Sequence, residues 1–261
     1  MKAKKSFGQN WLRDEYTLGS IVNAADITKG ENILEVGPGL GALTKKLLET
    51  GENITTVEAD HELIPGLIER FGPRKNFHLV QGDILKFDLQ KMDSPYKVVA
   101  NIPYYLTSNL IRMLLESHNP PKAMVLLVQK EVAQRIIAKP GKMSVLAFSV
   151  QYYGRPEYVM DVKKELFDPV PKVDSAVIKI VRYDRPIFES DTKKLFRLVK
   201  AGFGEKRKTL RNSLSGGLNA DTHTIEKVLN QSNINPMARA QELSLDDWRN
   251  LYDKSIAEMI I

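Results

Sequence analysis

Residues Asn101-Ile102-Pro103-Tyr104 combine an amide, a turn-forming proline and an aromatic ring. They follow the apolar run at 98–100, so they are predicted to end a strand, where open α/β sheets place their ligand chemistry. The Asn101 carboxamide can accept a hydrogen bond from an exocyclic amine while the Tyr104 ring stacks on the heterocycle that carries it. The pattern indicates a nucleobase as substrate, and an ordinary Asn-x-Pro turn is the alternative.

A glycine-rich segment, EVGPGLG at 35–41, follows the first predicted buried strand. Gly37 and Gly39 let the backbone approach a ligand closely at the start of the next helix. Their spacing differs from the dinucleotide pattern G-x-G-x-x-G, because the third glycine comes one position early. When the segment is read alone, a structural turn is the alternative to a ligand-binding loop.

Acidic residues follow the next two predicted strands. Glu58 stands 21 residues after Gly37, where a carboxylate can accept both hydroxyls of a ribose. Asp83 can accept from an adenine amine while Ile84 packs on the ring, although a self-capped turn is by itself the commoner reason for an Asp at such a position. Asp60 is predicted to cap a helix. Because these loops succeed one another, they predict an adenosine-shaped site.

Two other segments are candidates for the same site. The proline-rich loop FDPVPKVDS at 167–175 can present Phe167 as a second stacking face, or hold it as a buried anchor. The segment KKSFGQNWL at 4–12 can close over a ligand, or it can be a disordered terminus.

A basic stretch, FGEKRKTLRN at 203–212, is a candidate for phosphate contacts. Arg207 and Arg211 are four residues apart and are predicted to share one helix face, beside an apolar stripe of Leu210 and Leu214. The net charge of +6 also favours a polyanionic partner. The alternative for such a run is a solvated helix face.

The order of predicted elements indicates the fold that positions these residues. Strands are predicted at 32–36, 53–58, 76–81, 97–100 and 123–128, with helices at 14–25, 42–50, 61–71, 107–117 and 130–138. This alternation with continuous apolar strands predicts a mostly parallel, Rossmann-like α/β sheet covered on both faces. A helix at 143–153 and strands at 157–162 and 176–181 follow.

The rest of the pattern is helical, at 192–203, 206–214, 221–231 and 245–259, with Gly216-Gly217 and Asn235-Pro236 expected to separate helices. We predict a catalytic domain over 1–185 and a small all-α domain over 186–261. The chain lacks cysteine, and no apolar stretch approaches the roughly 20 residues of a membrane span. The basic first residues lack a signal-peptide core, which predicts a cytoplasmic protein.

Taken together, these segments resemble the rRNA adenine N6,N6-dimethyltransferases of the KsgA family over nearly the whole chain. The matching pieces are KKSFGQNWL, EVGPGLGALT, VEAD, QGDIL, NIPYYLTS, QYY, FDPVPKVDSAV and FGEKRKTLRNSL. The resemblance implies S-adenosyl-L-methionine as cofactor and methylation of two adjacent adenines near the 3′ end of small-subunit rRNA. It also implies a pre-ribosomal particle as partner, no metal, no membrane and a monomeric enzyme.

By the same resemblance, the target amine is positioned by Asn101 and the backbone at Ile102, and the target base stacks on Tyr104 and Phe167. RNA contacts are implied for Lys206, Arg207, Lys208 and Arg211. Cofactor contacts are implied for Gln9, Asn10, Leu12, Gly37, Gly39, Glu58, Asp83, Ile84 and Asn101.

Three other functions stay open at this stage. The first is a large-subunit rRNA methyltransferase of the erythromycin-resistance type, which shares the NIPY motif. The second is a non-catalytic RNA-binding factor that keeps the fold, against which the near-complete cofactor set argues. The third is a dinucleotide-dependent oxidoreductase, which the glycine spacing disfavours.

Overall fold

A computed structural model describes Lys4 and residues 7–261. The described chain divides into two compact units. The first, the sheet unit, comprises the described residues up to Gln134 together with Arg155–Tyr183. The second, the helical unit, comprises Arg135–Gly154 and Asp184–Ile261.

The sheet unit is built on a largely parallel sheet. Its parallel strands are β2 (Asn32–Val36), β3 (Asn53–Glu58), β4 (Phe77–Gln81), β5 (Tyr96–Asn101) and β6 (Ala123–Gln129). At one edge, β9 (Ser175–Arg182) pairs antiparallel with β6, and β7 (Gly154–Val162) lies beyond β9. Strands β5 and β6 are almost wholly buried, as expected for strands covered on both faces. The predicted fold class is confirmed.

Helices accompany these strands in chain order: α1 (Glu15–Ala24), α2 (Ala42–Leu48), α3 (Ile64–Phe71), α4 (Thr107–Glu116) and α5 (Lys130–Ile136). Helices α2, α3 and α4 lead from one parallel strand to the next, whereas α1 precedes β2 and α5 follows β6. Helix α1 begins where the Asp14 carboxylate accepts from the backbone N–H of Thr17 at 2.8 Å, an N-cap. Helix α2 begins at Gly41, whose φ of +79° and whose contact with Phe71 exclude a side chain. An added Cβ would lie 2.4 Å from the Phe71 ring.

The strand order β4-β3-β2-β5-β6-β9-β7 contains the switch point that positions the site. From β2 the chain adds β3 and β4 on one side, and then returns to place β5 and β6 on the other. Ligands of such sheets bind beyond the carboxyl ends of the strands where the order reverses. Glu35 of β2 pairs with Val99 of β5, so Gly37 and Asn101, each two residues further on, end neighbouring strands at one level.

A short pairing outside the main sheet was absent from the sequence prediction. Strand β1 (Trp11–Leu12) pairs antiparallel with β8 (Phe167–Asp168), and Leu12 stands opposite Phe167. The Arg13 guanidinium and the Asp168 carboxylate form an exposed ion pair at 2.5 Å beside it. Two-residue strands carry no periodic pattern, so only their pairing across the chain reveals them.

The helical unit contains α6 (Val145–Tyr153), α7 (Thr192–Phe203), α8 (Leu210–Leu218), α9 (Thr222–Gln231) and α10 (Leu245–Ala257). Its core is aromatic: Trp248 is fully buried and its ring lies 6.0 Å from Phe148 and 5.6 Å from Phe203. Phe148 and Tyr152 belong to a segment that the sequence analysis assigned to the first domain. Their packing against later aromatic residues draws Arg135–Gly154 into this unit, and the domain limits at 185 stay a prediction.

Helix α8 differs from its prediction at both ends. It begins at Leu210 rather than Lys206, because residues 204–208 form bends and a turn and Thr209 is the extended N-cap. It also runs through Gly216-Gly217, which were expected to separate helices. Gly217 is needed for packing, since an added Cβ would lie 2.7 Å from the Ala201 Cβ of α7. Helix α10 begins with a capping box of Ser244 and Asp247.

Within the described residues, no helix is long and apolar enough to cross a membrane.

Candidate active site

A cavity of about 330 Å³ opens at the switch point of the sheet unit. Its walls come from the loops after β2, β3, β4 and β5, together with the segment around β1. Among the described residues, none of the side chains lining it is Lys or Arg, whereas Glu35, Glu58 and Asp83 are acidic. The structure thus brings together these predicted residues: Gln9, Asn10, Leu12, Gly37, Gly39, Glu58, Asp83, Ile84, Asn101 and Tyr104.

Glu58 is held in place by the glycine-rich loop. Its Oε2 accepts from the backbone N–H of Gly39 at 3.1 Å, and its Oε1 accepts from that of Asp60 at 2.8 Å. Burial raises the pKa of the Glu58 carboxyl above its ordinary value, against these two hydrogen bonds. Each oxygen keeps a second lone pair, so the carboxylate is fixed and can still accept from two hydroxyls.

Asp83 forms the self-capped turn through one of its two carboxylate oxygens. Its Oδ1 accepts from the backbone N–H of Leu85 at 3.0 Å, which is the self-capped turn. Its Oδ2 has no hydrogen-bond partner in the described part of the chain, and the residue is exposed at the cavity wall. Ile84 is buried beside it and adds apolar surface to the cavity wall.

The NIPY segment leaves β5 at the cavity. The Asn101 Nδ2 donates to the carbonyl of Asn10 at 3.2 Å, which orients the carboxamide and leaves its Oδ1 without a partner among the described residues. The Tyr104 hydroxyl lies 2.7 Å from the Ser175 Oγ, and burial raises the pKa of this phenol. The next residue, Tyr105, is 65% exposed beside it.

The segment before β1 is ordered where it is described, in contrast to a disordered terminus. Gln9 Nε2 donates to Asp60 Oδ2 at 2.9 Å, and Lys4 Nζ donates to Asp60 Oδ1 at 2.8 Å. Asp60 therefore holds this segment over the cavity. The Asp60 Oδ1 also accepts a hydrogen bond from the backbone N–H of Glu62 at 3.2 Å, within the turn before α3. The remaining residues of the predicted closing segment, at positions 5 and 6, lie outside the described residues.

Phe167 is placed differently from its predicted stacking position. It is 4% exposed, pairs with Leu12 through β8 and β1, and packs in the hydrophobic core with Leu18 and Val177. It is absent from the described lining of the cavity. The structure shows the buried anchor that the sequence left open, and the stacking role of Phe167 stays a prediction.

Two buried polar groups at the cavity were absent from the predicted set. Glu35 is 1% exposed; its Oε2 accepts from the Thr44 hydroxyl at 2.7 Å, while its Oε1 has no partner in the described chain. Burial raises the pKa of Glu35 to about 8, against the Thr44 hydrogen bond and helped by the charge of Glu58. The Trp11 Nε1–H is likewise buried without a described partner. Glu35 stands inside the EVGPGLG segment, which was a usable signal.

The predicted RNA-binding residues lie in the helical unit, and one inference about them was wrong. Arg207 belongs to the turn before α8, so Arg207 and Arg211 do not share a helix face. Arg211 lies in the first turn of α8, where its Nη1 donates to Glu226 at 2.9 Å. Lys206, Arg207 and Lys208 are exposed, whereas the predicted apolar pair Leu210 and Leu214 is buried as expected.

The donor set fits an adenosyl cofactor with a charged amino-acid end. Orphaned buried groups are costly unless a partner satisfies them, and here one acceptor, Glu35 Oε1, and one donor, Trp11 Nε1, belong to residues that line the same cavity. An acceptor suits an ammonium group and a donor suits a carboxylate. Within the described residues, no group of three or more His, Cys, Asp or Glu could hold a metal ion.

The parallel sheet, its switch point and the acidic strand ends define the Rossmann-like methyltransferase class. Solved structures with this architecture include a dimethyladenosine transferase from Plasmodium falciparum, with a TM-score of 0.79 and 26% identity over 95% of this chain and 98% of that chain. The 23S rRNA methyltransferase ErmE has a TM-score of 0.76 and 27% identity over 94% and 99%.

The sequence comparisons identify the family. The family model "Ribosomal RNA adenine dimethylase" matches residues 1–254. Ribosomal RNA small subunit methyltransferase A of Dehalococcoides mccartyi strain CBDB1 is 44% identical, over 96% of this chain and 88% of the relative. The protein of the same name from a Nostoc species is 42% identical over 96% and 97%. The chain belongs to the ribosomal RNA adenine dimethylase family, which confirms the resemblance.

Proposed function

We propose that this chain transfers methyl groups from S-adenosyl-L-methionine to N6 of two adjacent adenines near the 3′ end of small-subunit rRNA, during ribosome biogenesis. The proposal rests on one observation above all. The Asn101 carboxamide, fixed by the Asn10 carbonyl, ends β5 in the same cavity as Gly37, Glu58 and Asp83. A group that can accept from an amine and the residues proposed to hold a nucleoside therefore border the same cavity.

The cofactor would be held by groups already fixed in place. Glu58 would accept from the ribose hydroxyls, Asp83 Oδ2 from the adenine amine, and Gly37 would lie against the methionine end. Gln9, Asn10 and Leu12 would close over it from the segment that Asp60 holds. When bound, the cofactor supplies a methyl group on a sulfonium, a good leaving group that needs no metal.

The contribution of the protein to transfer is positioning. The lone pair of an adenine N6 is delocalised into the ring, so it is a weak nucleophile. Asn101 Oδ1 and the carbonyl of Ile102 would accept from the amine and orient its lone pair toward the methyl group. Tyr104, pinned to Ser175, would stack on the base. Removing the base from its stack costs a few kcal/mol in a duplex and less in a loop.

The named relatives favour the small subunit as the source of the rRNA. The relatives at 44% and 42% identity carry that substrate in their names, whereas ErmE, a 23S rRNA methyltransferase, is 27% identical. We also propose that the enzyme acts on a pre-ribosomal particle in the cytoplasm as a monomer.

Replacing the amine-positioning group tests the proposal. Asn101→Ala is expected to bind S-adenosylmethionine within a few-fold of wild type, because Glu58 and Asp83 remain, and to lose about 100-fold or more in methyl transfer. Isothermal titration and transfer of labelled methyl groups measure the two effects. Asn53→Ala, an exposed amide at the start of β3, is the matched control.

Substrate choice separates the alternatives. Labelled methyl groups should enter small-subunit particles lacking the modification, on adjacent adenines near the 3′ end, and not protein-free large-subunit rRNA. The reverse preference would assign the chain to the erythromycin-resistance type. Transfer to neither RNA would favour a non-catalytic binding factor, and unchanged turnover of Asn101→Ala would refute the role of that amide.

A further inference from the structure

Most of the net positive charge of the chain belongs to the helical unit. Arg135–Gly154 and Asp184–Ile261 contain 16 Lys and Arg against 11 Asp and Glu, a net charge of +5. The rest of the chain contains 22 Lys and Arg against 21 Asp and Glu, a net charge of +1. A polyanion would therefore be attracted chiefly to the helical unit.

Within this unit, α7 presents a row of cations. Lys193, Arg197 and Lys200 are spaced by four and three residues, so they lie on one face of the helix along roughly 10 Å of its axis. All of them are exposed, and none of their side chains forms an ion pair or hydrogen bond with a described residue. Cations without acidic partners are available for an external anion.

These side chains line a concave surface between α7 and α8, a cavity of about 620 Å³ that we call the α7–α8 groove. Small residues lie beneath them: Ala201 and Gly204 after the row, and Gly216 and Gly217 across from it. Gly217 packs directly on Ala201, whereas a Cβ added at Gly216 would meet nothing within 4 Å. The bottom of the groove therefore carries little side-chain bulk, so a bound chain can come close to the protein backbone there.

Acidic charge does not oppose an anion here. Among the described lining residues the acid is Glu205, and Lys208 Nζ lies 2.9 Å from its Oε1 and 2.8 Å from its Oε2. The following exposed residues, Lys206 and Arg207, extend the basic surface from the groove along the turn before α8.

We propose that the α7–α8 groove docks the sugar–phosphate backbone of the rRNA substrate, with phosphates bound by Lys193, Arg197 and Lys200. This inference rests on the proposed function for the identity of the polyanion, and charge complementarity argues for it. It assigns docking to α7 in addition to the Lys206–Lys208 turn, which the sequence singled out.

The salt dependence of binding tests the groove. The probe is the small ribosomal subunit lacking the modification. The triple variant Lys193→Gln, Arg197→Gln, Lys200→Gln is expected to bind about 10- to 100-fold more weakly near 0.1 M salt. The slope of log K against log salt should fall in magnitude by about 2 to 3, because each lost phosphate contact removes about 0.9.

A matched triple variant, Lys194→Gln, Arg249→Gln, Lys254→Gln, removes the same charges from exposed positions of the same unit outside the groove. It should keep the wild-type slope within about 1. Thermal unfolding of both triple variants checks that they fold. If a triple variant unfolds at a lower temperature than wild type, the single variants Lys193→Gln and Lys200→Gln take its place.

Equal weakening by both triples would overturn the proposal, because it would show attraction by net charge alone. An unchanged slope in the groove triple would also overturn it. These outcomes are distinct from a failure of the proposed function, which would appear as absence of methyl transfer by the wild-type chain to small-subunit particles that it binds.

Discussion

The cavity of the sheet unit and the α7–α8 groove of the helical unit have opposite charge. In the described residues, acidic side chains and no Lys or Arg line the cavity, whereas Lys193, Arg197 and Lys200 line the groove beside one neutralised acid. The cavity is bordered by two residues with orphaned buried polar atoms, Glu35 and Trp11, whereas the groove is more open and is bordered by exposed cations without ion-pair partners among the described residues. The first suits a small cationic ligand held at fixed atoms, and the second suits a polyanion held by many weak contacts.

The largest effect that separates these regions is expected for Glu58→Ala. It removes the acceptor for two ribose hydroxyls and leaves the N–H groups of Gly39 and Asp60 unpaired, so affinity for S-adenosylmethionine should fall about 100-fold, or about 3 kcal/mol. Isothermal titration measures the loss, and Glu69→Ala on the exposed face of α3 is the control. The affinity for RNA should not change, and a fall in that affinity would show that the cavity and the α7–α8 groove do not bind their ligands independently.

A smaller effect is expected for Glu35→Gln and depends on pH. Because the pKa of Glu35 is raised from 4.5 to about 8, the folded chain keeps a proton that the unfolded chain has released between those values. Wild-type stability therefore falls as pH rises through this window, while the glutamine has no proton to release. The variant should gain about 2 kcal/mol relative to wild type between pH 6 and pH 8.

Thermal unfolding at a series of pH values measures this gain. Saturating cofactor should reduce it, because a cation beside Glu35 favours the ionised carboxylate. A difference in free energy of unfolding between variant and wild type that stays constant from pH 5 to pH 8 would contradict the burial-driven pKa shift. Glu69→Gln, which alters an exposed carboxyl, should show no such trend.

The smallest effects are expected at the bottom of the α7–α8 groove, where Gly216 and Gly217 differ in the space available for a side chain. Gly216→Ala has open space and should stabilise α8 by about 0.7 kcal/mol. Gly217→Ala places its Cβ 2.7 Å from Ala201, and overpacking should outweigh that gain and leave a net loss of about 1 kcal/mol. Urea unfolding measures both. Equal effects of the two substitutions would refute the close approach of α7 and α8.

The sequence was sufficient where chemistry and local pattern coincide. Continuous apolar strands alternating with helices predicted the parallel sheet, and the ends of β2 to β5 each carried a recognisable residue: Gly37, Glu58, Asp83 and Asn101. Parallel strands bring their carboxyl ends to one edge, so residues distant in the chain could be assigned to one site before the fold was seen.

Long-range packing decided the rest. The β1–β8 pairing that buries Phe167 and the ion pairs that fix Arg211 and Asp60 join residues far apart in the chain, and no local pattern encodes them. The same applies to Gly217, which reads as a helix breaker until Ala201 is seen against it. The sequence by itself determined the fold class and the chemistry of the cavity, because both follow from residue type and period. Only the tertiary structure decided which charged and aromatic side chains remain free to bind, because that depends on the partners that folding gives them.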